Sequence, residues 1–340
     1  MSEAIRTTGL TKYFDRRRER RGFLSRRFGT RADRIIAVDK VDLSIKTNSL
    51  VGLLGPNGAG KTTTIKLLST LLLPDEGTAT VNGFDVSRQA NEVRSCIGVV
   101  TGGERGLYWR LTGRENLLFF ARLYGVREDM ARPRIDELLK LFELDDRADD
   151  NVEKYSRGMK QRLHLIRGLV HDPPILLLDE PTLGLDPNSA VVVREFIKEK
   201  LQRNQGKTIL LTTHYMEEAD QLCDKIAIID HGKVIANDTP GELKTGLRKT
   251  DVLRINATGV PSSLSSDLKQ VEGVEEVKMS VIDPVTGLTE LLVHTRDAEE
   301  SLPQLTELMV KSGVRIRLIE QSKPSLEDVF INLTGRRLRD

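Results

Sequence analysis

A short glycine-rich segment is the first part of the chain with the residue types for phosphate chemistry. Residues 55–62 read Gly-Pro-Asn-Gly-Ala-Gly-Lys-Thr and fit the pattern G-x-x-x-x-G-K-[ST]. They follow the apolar run 50–54 and open a predicted helix, so backbone N–H groups and the helix N-terminus point inward, and Lys61 adds a full positive charge. The segment predicts a nucleotide-phosphate site formed by Gly55, Pro56, Asn57, Gly58, Ala59, Gly60, Lys61 and Thr62, with the Thr62 hydroxyl on Mg²⁺.

A pair of carboxylates complements this segment. Asp179 and Glu180 directly follow the apolar run 175–178. A buried parallel strand ending there would deliver both carboxylates to the carboxyl edge of a sheet, where open α/β folds bind ligands. We expect Asp179 to hold a Mg²⁺-linked water and Glu180 to polarise the attacking water.

Both features need a parallel sheet behind them, and the pattern predicts one. Apolar or alternating runs predict strands at 38–45, 50–54, 175–178, 208–211 and 226–229, and helical patterns alternate with them at 61–73, 114–124, 132–141 and onward from 156. The order indicates an α/β core with a parallel sheet and a helical subdomain at about 104–170. Together with the motif at 55–62, it predicts a P-loop NTPase core. After residue 243 the order becomes β-α-β-β-α-β, which predicts a small C-terminal α+β domain of ferredoxin-like type.

Composition sets the outer limits. The 340 residues are 39% hydrophobic and 30% charged, which excludes collagen-like and wholly disordered classes and suggests two domains. Cys96 and Cys223 stand far apart, so neither a disulfide framework nor a zinc site is indicated. No apolar run approaches the ~20 residues of a membrane span. Any membrane role therefore needs a separate partner.

Further motifs carry a family resemblance. Residues 155–162 read Tyr-Ser-Arg-Gly-Met-Lys-Gln-Arg and resemble the signature sequence of ABC-type ATPases. Residues 183–186, Leu-Gly-Leu-Asp, resemble the D-loop of that family, and 212–214, Thr-Thr-His, resemble its switch histidine. With the two earlier motifs in the same order, residues 7–243 are identified as a member of the ABC-type ATPases. Residues 324–335 resemble the C-terminus of exporter subunits for drugs, lipids and polysaccharides.

The resemblance implies an ATP-hydrolysing exporter subunit. It would lie peripherally on the cytoplasmic face of the cell membrane, under separate transmembrane permease subunits. Two such domains would hold two ATP molecules head to tail, each between residues 55–63 of one protomer and 156–158 of the other. We expect a homodimer, and pairing with a paralogue stays open. The domains would be an ATPase domain, 1–243, and an accessory domain, 244–340.

Individual roles follow from the same resemblance. Phe14 would stack on adenine, with Tyr13 as a substitute, and His214 would contact the γ-phosphate. The implied set is Lys61, Glu180 and His214 for catalysis, Phe14, Thr63, Ser156, Gly158 and Asp186 beside residues 55–62 for ATP, and Thr62, Asp179 and Glu104 for Mg²⁺.

Two positions depart from the family pattern. Arg157 replaces the second glycine of the signature, which exporter relatives tolerate. The family also expects a glutamine after residues 97–100, where this chain has Thr-Gly-Gly-Glu, with no glutamine between Gln89 and Gln161. Glu104 is the candidate substitute, because a carboxylate can hold the water of a metal ion and its negative charge is partly offset by Mg²⁺.

A basic insert at 15–35 interrupts the pattern. Within 16–34, nine arginines stand against Glu19 and Asp33, although the whole chain has a net charge of only +2. Leu24 and Phe28 would share one helical face, and basic amphipathic helices lie at anionic bilayer surfaces. Contact with anionic lipid headgroups or the permease, and a solvated loop, both stay open. Sparse aromatic residues argue against nucleic acid.

Two other functions compete with an exporter ATPase. A soluble ABC-type protein of translation or DNA repair would need tandem ATPase domains or long coiled coils, which this chain lacks. A regulatory ABC-type nucleotide binder outside transport stays open because of the missing glutamine, although Glu180 and His214 argue against it.

Replacing Glu104 tests the substitute role. Glu104→Ala should lower the ATPase activity measured together with the permease, because the link between nucleotide and transporter would lose its carboxylate. Unchanged coupled activity would remove Glu104 from the site.

Overall fold

The computed structural model describes residues 2–15, 34–101, 106–245, 251–261, 263–284, 286–322 and 325–334. Residues 16–33 of the basic insert and Glu104 lie outside the described residues. The described chain divides into two compact units with the boundary between Pro240 and Gly241; the sequence pattern places it after residue 243. Among the described residues, none of the helices combines the length and the apolar content of a membrane span.

The first unit contains two sheets and the helices around them. Its strands are β1 (Glu3–Asp15), β2 (Arg34–Lys46), β3 (Leu50–Leu54), β4 (Glu76–Val81), β5 (Phe84–Asp85), β6 (Ile97–Thr101), β7 (Ile175–Asp179), β8 (Thr208–Thr213), β9 (Lys225–Asp230) and β10 (Lys233–Asp238). Its helices are α1 (Lys61–Leu68), α2 (Ala90–Cys96), α3 (Gly113–Leu123), α4 (Glu128–Leu141), α5 (Arg157–Leu169), α6 (Pro187–Glu195, continued by a π-helix over Phe196–Asn204) and α7 (Met216–Leu222), and α8 (Pro240–Thr245) follows at the boundary.

The predicted parallel sheet is confirmed. Its order is β10-β9-β3-β8-β7-β6, with β9 to β6 parallel and β10 antiparallel to β9. Every residue of β3, β7 and β8 is buried, as expected for strands covered on both faces. The register sets Leu54 beside Thr213 and Asp179 beside Thr212. The three strands therefore end together, and the residues that follow them meet at one edge.

A second, antiparallel sheet in the order β2-β1-β4-β5 completes the α/β unit. The apolar side chains of this sheet, of β3 and of α1 share one core, which includes Ile5, Ile45, Leu53 and Ile65, all fully buried. The start of α1 is thereby fixed against two sheets.

The helical block consists of α3, α4 and α5, which pack on one another. A capping box at Thr112 and Glu115 begins α3. Two glycines bring α5 close to β6: a β-carbon on Gly98 would lie 2.2 Å from the Gly168 carbonyl oxygen, and one on Gly168 would lie 2.7 Å from Val100 Cγ2. This close approach packs α5, the helix that carries the signature residues, directly on the sheet.

The predicted end of α1 is wrong, and α4 begins at Glu128 rather than at residue 132. The helix expected over 61–73 ends at Leu68, well before Pro74. The chain turns at Thr70, whose φ of +61° lies in the left-handed region, and the Leu71 and Leu72 N–H groups both donate to the Lys66 carbonyl. The local turn, not the proline, ends the helix.

The second unit is ferredoxin-like, as predicted. Its elements are β11 (Asp251–Thr258), α9 (Leu264–Leu268), β12 (Val274–Asp283), β13 (Leu288–Thr295), α10 (Ala298–Lys311) and β14 (Arg315–Ser322), followed by α11 (Leu326–Thr334). The strands form an antiparallel sheet in the order β12-β13-β11-β14. The alternating pattern of β13 buries Leu291 and Val293 against helices α9 and α10.

Candidate functional site

The glycine-rich loop passes from β3 to α1 through backbone conformations that glycine permits. Gly58 and Gly60 have φ angles of +81° and +108°. A β-carbon on Gly60 would lie 2.3 Å from the Ala37 carbonyl oxygen, so no other residue fits without displacing backbone. The loop is therefore built by its sequence to wrap closely and to open the helix at Lys61.

Lys61 is a buried cation at the centre of this loop. Its Nζ donates to the carbonyl oxygens of Gly55 (2.7 Å) and Pro56 (3.0 Å), and it lies 3.7 Å from Glu180 Oε1. Burial lowers the pKa of Lys61, and the nearby Glu180 and Asp179 carboxylates only partly offset that effect. An anion bound in the loop would supply the missing compensation, which is what a phosphate-binding lysine requires.

Asp179 joins three elements at the edge of the sheet. The side chain, 6% exposed, accepts hydrogen bonds at Oδ1 from Thr212 Oγ1 (2.6 Å) and Thr62 Oγ1 (3.1 Å). The strand β7, the strand β8 and the helix α1 are thus connected through one carboxylate. The structure brings the predicted metal residues Thr62 and Asp179 together. The pair suits Mg²⁺, a hard cation that prefers oxygen ligands and keeps several waters.

Glu180 connects Lys61 to His214. Glu180 Oε1 lies 3.2 Å from His214 Nδ1, and an ionised carboxylate can only accept in this contact, so Nδ1 carries the proton. The backbone of Glu180 has φ +51° and is held by its N–H, which donates to Thr212 O and Thr212 Oγ1, both at 3.1 Å. A left-handed non-glycine residue costs on the order of 1 kcal/mol, so neighbouring contacts must impose this geometry.

Sequence reasoning missed the hydroxyl groups that organise this edge. Thr212 bonds both Asp179 and Glu180. A second buried carboxylate, Glu218, 2% exposed, accepts from Thr182 Oγ1 (2.7 Å) and Thr213 Oγ1 (2.6 Å). These bonds tie the turn after β7 to the end of β8 and to α7. The signal available in the sequence was the pair of threonines that closes the apolar strand β8.

Other residues that are predicted to contact ATP lie apart from the glycine-rich loop. Ser156 caps α5, accepting from the Met159 N–H at 3.2 Å, and Asp186 caps α6, accepting from Ser189, whose bonds lower the pKa of Asp186. Within the described chain, no hydrogen bond joins Ser156 or Asp186 to residues 55–63. Their predicted role therefore depends on a second copy of the chain.

The two aromatic candidates differ in availability. Tyr13 donates its hydroxyl to Glu76 Oε1 at 3.0 Å, whereas Phe14 is 40% exposed with Lys12 Nζ 6.0 Å from its ring centroid. An exposed ring beside a cation suits a base carrying phosphates, so Phe14 stays the predicted stacking residue. Among the described residues, no group of three or more His, Cys, Asp or Glu could hold a metal ion by itself.

Comparisons with known proteins agree with this geometry. Residues 38–183 match the ABC transporter family, and residues 239–334 match the C-terminal domain of DrrA1-3-like ATP-binding proteins. The chain is 40% identical over 336 residues to the daunorubicin/doxorubicin resistance ATP-binding protein DrrA of Streptomyces peucetius, covering 98% of this chain and 93% of that protein. This chain belongs to the ATP-binding subunits of ABC transporters.

Relatives with other names support the same family. The Nod factor export ATP-binding protein I of Sinorhizobium fredii (strain NBRC 101917 / NGR234) is 40% identical over 90% of this chain and 83% of its own length. A solved dimeric structure of the ATP-binding cassette MJ0796, in a post-hydrolysis state bound to ADP and Pi, has a TM-score of 0.60 at 26% identity and covers 69% of this chain and 98% of that one. The prediction of an ATP-hydrolysing exporter subunit of ABC type is confirmed, and a regulatory binder outside transport is not favoured.

Thr212→Val tests the hydroxyl network of this ABC ATPase. The change keeps the shape but removes one of the two hydrogen bonds that Asp179 Oδ1 accepts and leaves the Glu180 N–H with the Thr212 carbonyl oxygen as its acceptor; the lost hydrogen bond to the Asp179 carboxylate is worth about 1.5–3 kcal/mol. We expect a lower melting temperature and ATPase turnover reduced by roughly tenfold or more, because a 1.4 kcal/mol rise in the barrier is a factor of ten. Thr80→Val, a threonine of β4 away from this edge, is the control. Wild-type turnover in Thr212→Val would contradict the assigned role.

Proposed function

We propose that this subunit hydrolyses Mg²⁺-ATP at the edge formed by β3, β7 and β8. The observation that carries the proposal is the convergence of Lys61, Asp179, Glu180 and His214, with oxygen and nitrogen atoms 3.2 to 3.7 Å apart along Lys61–Glu180–His214. A cation, a metal-binding carboxylate, a candidate base and an imidazole meet where the loop can deliver a phosphate. Phosphoryl transfer needs mainly such positioning and charge stabilisation.

Each side chain has a defined task in this proposal. Lys61 exchanges its contacts with the loop carbonyls for phosphate oxygens. Their negative charge compensates the ammonium group for the water that it lost on burial. Thr62 and Asp179 would hold Mg²⁺, whose bound charge neutralises developing phosphate charge. Glu180 accepts a hydrogen bond from the attacking water, and the imidazole of His214 holds that carboxylate in place while facing the phosphate.

A homodimer completes the site. The first turn of α5 contains no acidic residue, and Ser156 is its N-cap, so the helix end favours an anion. Ser156 and Gly158 are therefore proposed to reach the γ-phosphate held by residues 55–63 of a second copy, with Asp186 beside them. The dimeric state named for solved ABC cassettes supports this arrangement.

The permease is proposed to dock in a groove on the α/β unit. A cavity of 560 Å³ is lined by residues of α2, β6, α3 and α5, including Arg94, Val99, Phe120 and Arg167. Its rim carries Leu123, which is 69% exposed, and further exposed apolar residues, namely Leu71 and Tyr124. Contiguous exposed apolar residues mark interaction surfaces, and ABC ATP-binding subunits work with membrane permeases. An apolar permease segment fits this groove.

Location and direction complete the proposal. The subunit lies on the cytoplasmic face of the cell membrane and drives export, in line with relatives named for daunorubicin resistance and Nod factor export. Residues 16–34 contact anionic lipid headgroups or the permease, as their charge suggests. Residues 244–340 form an accessory domain that supports the dimer.

Glu180→Gln tests the hydrolytic mechanism. Removing the base should lower ATPase turnover by about 10²-fold or more while ATP binding persists, since general bases contribute that much. Analytical ultracentrifugation should then show an ATP-dependent dimer that the wild type forms only transiently. Lys61→Ala should lose ATP binding itself. Wild-type turnover no higher than that of Glu180→Gln would refute hydrolysis at this site.

Leu123→Asp tests the docking groove. A buried, unpaired carboxylate is costly at an apolar interface, so co-purification with the permease should fall while the ATPase activity of the isolated subunit is kept. Val310→Asp on α10, where the side chain is 65% exposed, is the matched control. Equal recovery of permease with both variants would exclude this groove.

A further inference from the structure

Arg157, the residue that departs from the family signature, lies on the D-loop of its own chain. A β-carbon on Gly184 would be 2.6 Å from Arg157 Nη2, 2.7 Å from Cζ and 3.0 Å from Nε. The central carbon is closer than Nε, so the guanidinium presents its face, not its edge, to the glycine. The plane occupies the space that a side chain at residue 184 would fill.

Gly184 has the backbone that this contact requires. Its φ is +77°, in the region that glycine adopts without steric cost. Glycine therefore serves two purposes here: it allows the turn, and it leaves the surface open to the guanidinium. No carboxylate of the described residues lies within salt-bridge distance of Arg157, so packing of the planar group, rather than an ion pair, makes the contact.

A hydrogen bond also joins the same loop to α5, and a second side chain of the loop borders the first turn of that helix. Gln161, 7% exposed and one turn after Arg157, donates from Nε2 to the Pro181 carbonyl oxygen at 3.1 Å. Leu185 Cδ2 lies 3.9 Å from the position of a β-carbon on Gly158. Residues 181–185, the direct continuation of Glu180, are thus held against the first turns of α5 at Pro181 by a hydrogen bond and at Gly184 by the guanidinium.

We propose that Arg157 is a positioning residue that clamps the D-loop to the signature helix and so couples the two ATP sites of the dimer. The inference rests on the proposed dimer, in which Ser156 serves the nucleotide of the partner while Glu180 acts in its own site. With the clamp in place, a shift of α5 caused by the partner's nucleotide moves the segment that begins at Glu180. Without the guanidinium, the middle of the loop loses its contact and the two sites respond more independently.

A double-mutant cycle on the full-length dimer tests the clamp. Arg157→Ala, Gly184→Ala and the double variant are compared for kcat, KM for ATP and the Hill coefficient of ATPase activity. Arg157→Ala should lower the Hill coefficient towards 1 and reduce kcat severalfold, with KM nearly unchanged. The loss of kcat caused by Gly184→Ala should be at least about threefold smaller in the Arg157→Ala background, because the clash with the guanidinium is gone and only the cost of the positive φ is left.

Arg157→Lys separates packing from charge. A lysine ammonium is a compact charge that cannot lie flat on a glycine, so this variant should behave like Arg157→Ala. Melting temperatures identify any variant that fails to fold. Arg157 is exposed, so Arg157→Ala is expected to fold, and the Hill coefficient of that variant tests the clamp by itself.

Three outcomes would overturn the clamp. They are additive effects in the cycle, a wild-type Hill coefficient of 1, and a raised KM with an unchanged Hill coefficient in Arg157→Ala. The last would mean that the guanidinium contacts the partner's nucleotide instead. Glu180→Gln, measured in parallel, distinguishes the failures: if it abolishes turnover while Arg157 variants resemble the wild type, the clamp is wrong and the proposed hydrolysis stands.

Discussion

A buried ammonium group sets the requirements that the rest of the α/β unit meets. Lys61 is taken out of water and is held mainly by two carbonyl oxygens of its own loop, with Glu180 at 3.7 Å. Burying a cation is costly unless anions compensate it, so contacts outside the loop must stabilise the conformation of the loop. The shared core of α1, β3 and the antiparallel sheet supplies that support.

Two adjacent acids at the carboxyl edge of the sheet, Asp179 and Glu180, have different partners. Asp179 is satisfied by two threonine hydroxyls, whereas Glu180 contacts Lys61 and His214 and keeps a strained backbone. The two neighbouring acids therefore have different surroundings: Asp179 accepts two threonine hydroxyls at one oxygen, and Glu180 lies between Lys61 and His214. These surroundings suit Asp179 for holding a metal ion and Glu180 for acting on water. They differ because the two acids follow one another at the end of β7, which lies between β6 and β8 in the sheet.

Helix α5 connects this edge of the sheet with the surface that a second molecule would contact in the proposed dimer. Its packing on β6 depends on Gly98 and Gly168, and its first turns hold the D-loop through Gln161 and Arg157. The same helix thus touches the sheet, the segment after Glu180 and, in the proposed dimer, the partner's nucleotide. In the proposed dimer such a connection would let both nucleotides act on one packed element, which is one way in which energetic coupling is carried between sites.

Much of this protein was determined by sequence alone, since its decisive features are local. Loop 55–62, the pair Asp179-Glu180 and the alternation of apolar strands with helices depend on neighbouring residues, and periodicity predicted the parallel sheet and the ferredoxin-like unit correctly. The end of α1 was misplaced because a left-handed turn at Thr70 carries no strong signal of its own. Only the tertiary structure decided the partners of Lys61, the hydroxyl bonds of Thr212, the buried Glu218 and the stacking of Arg157 on Gly184. These contacts join residues far apart in the chain, and their geometry depends on which strands lie side by side and where each one ends.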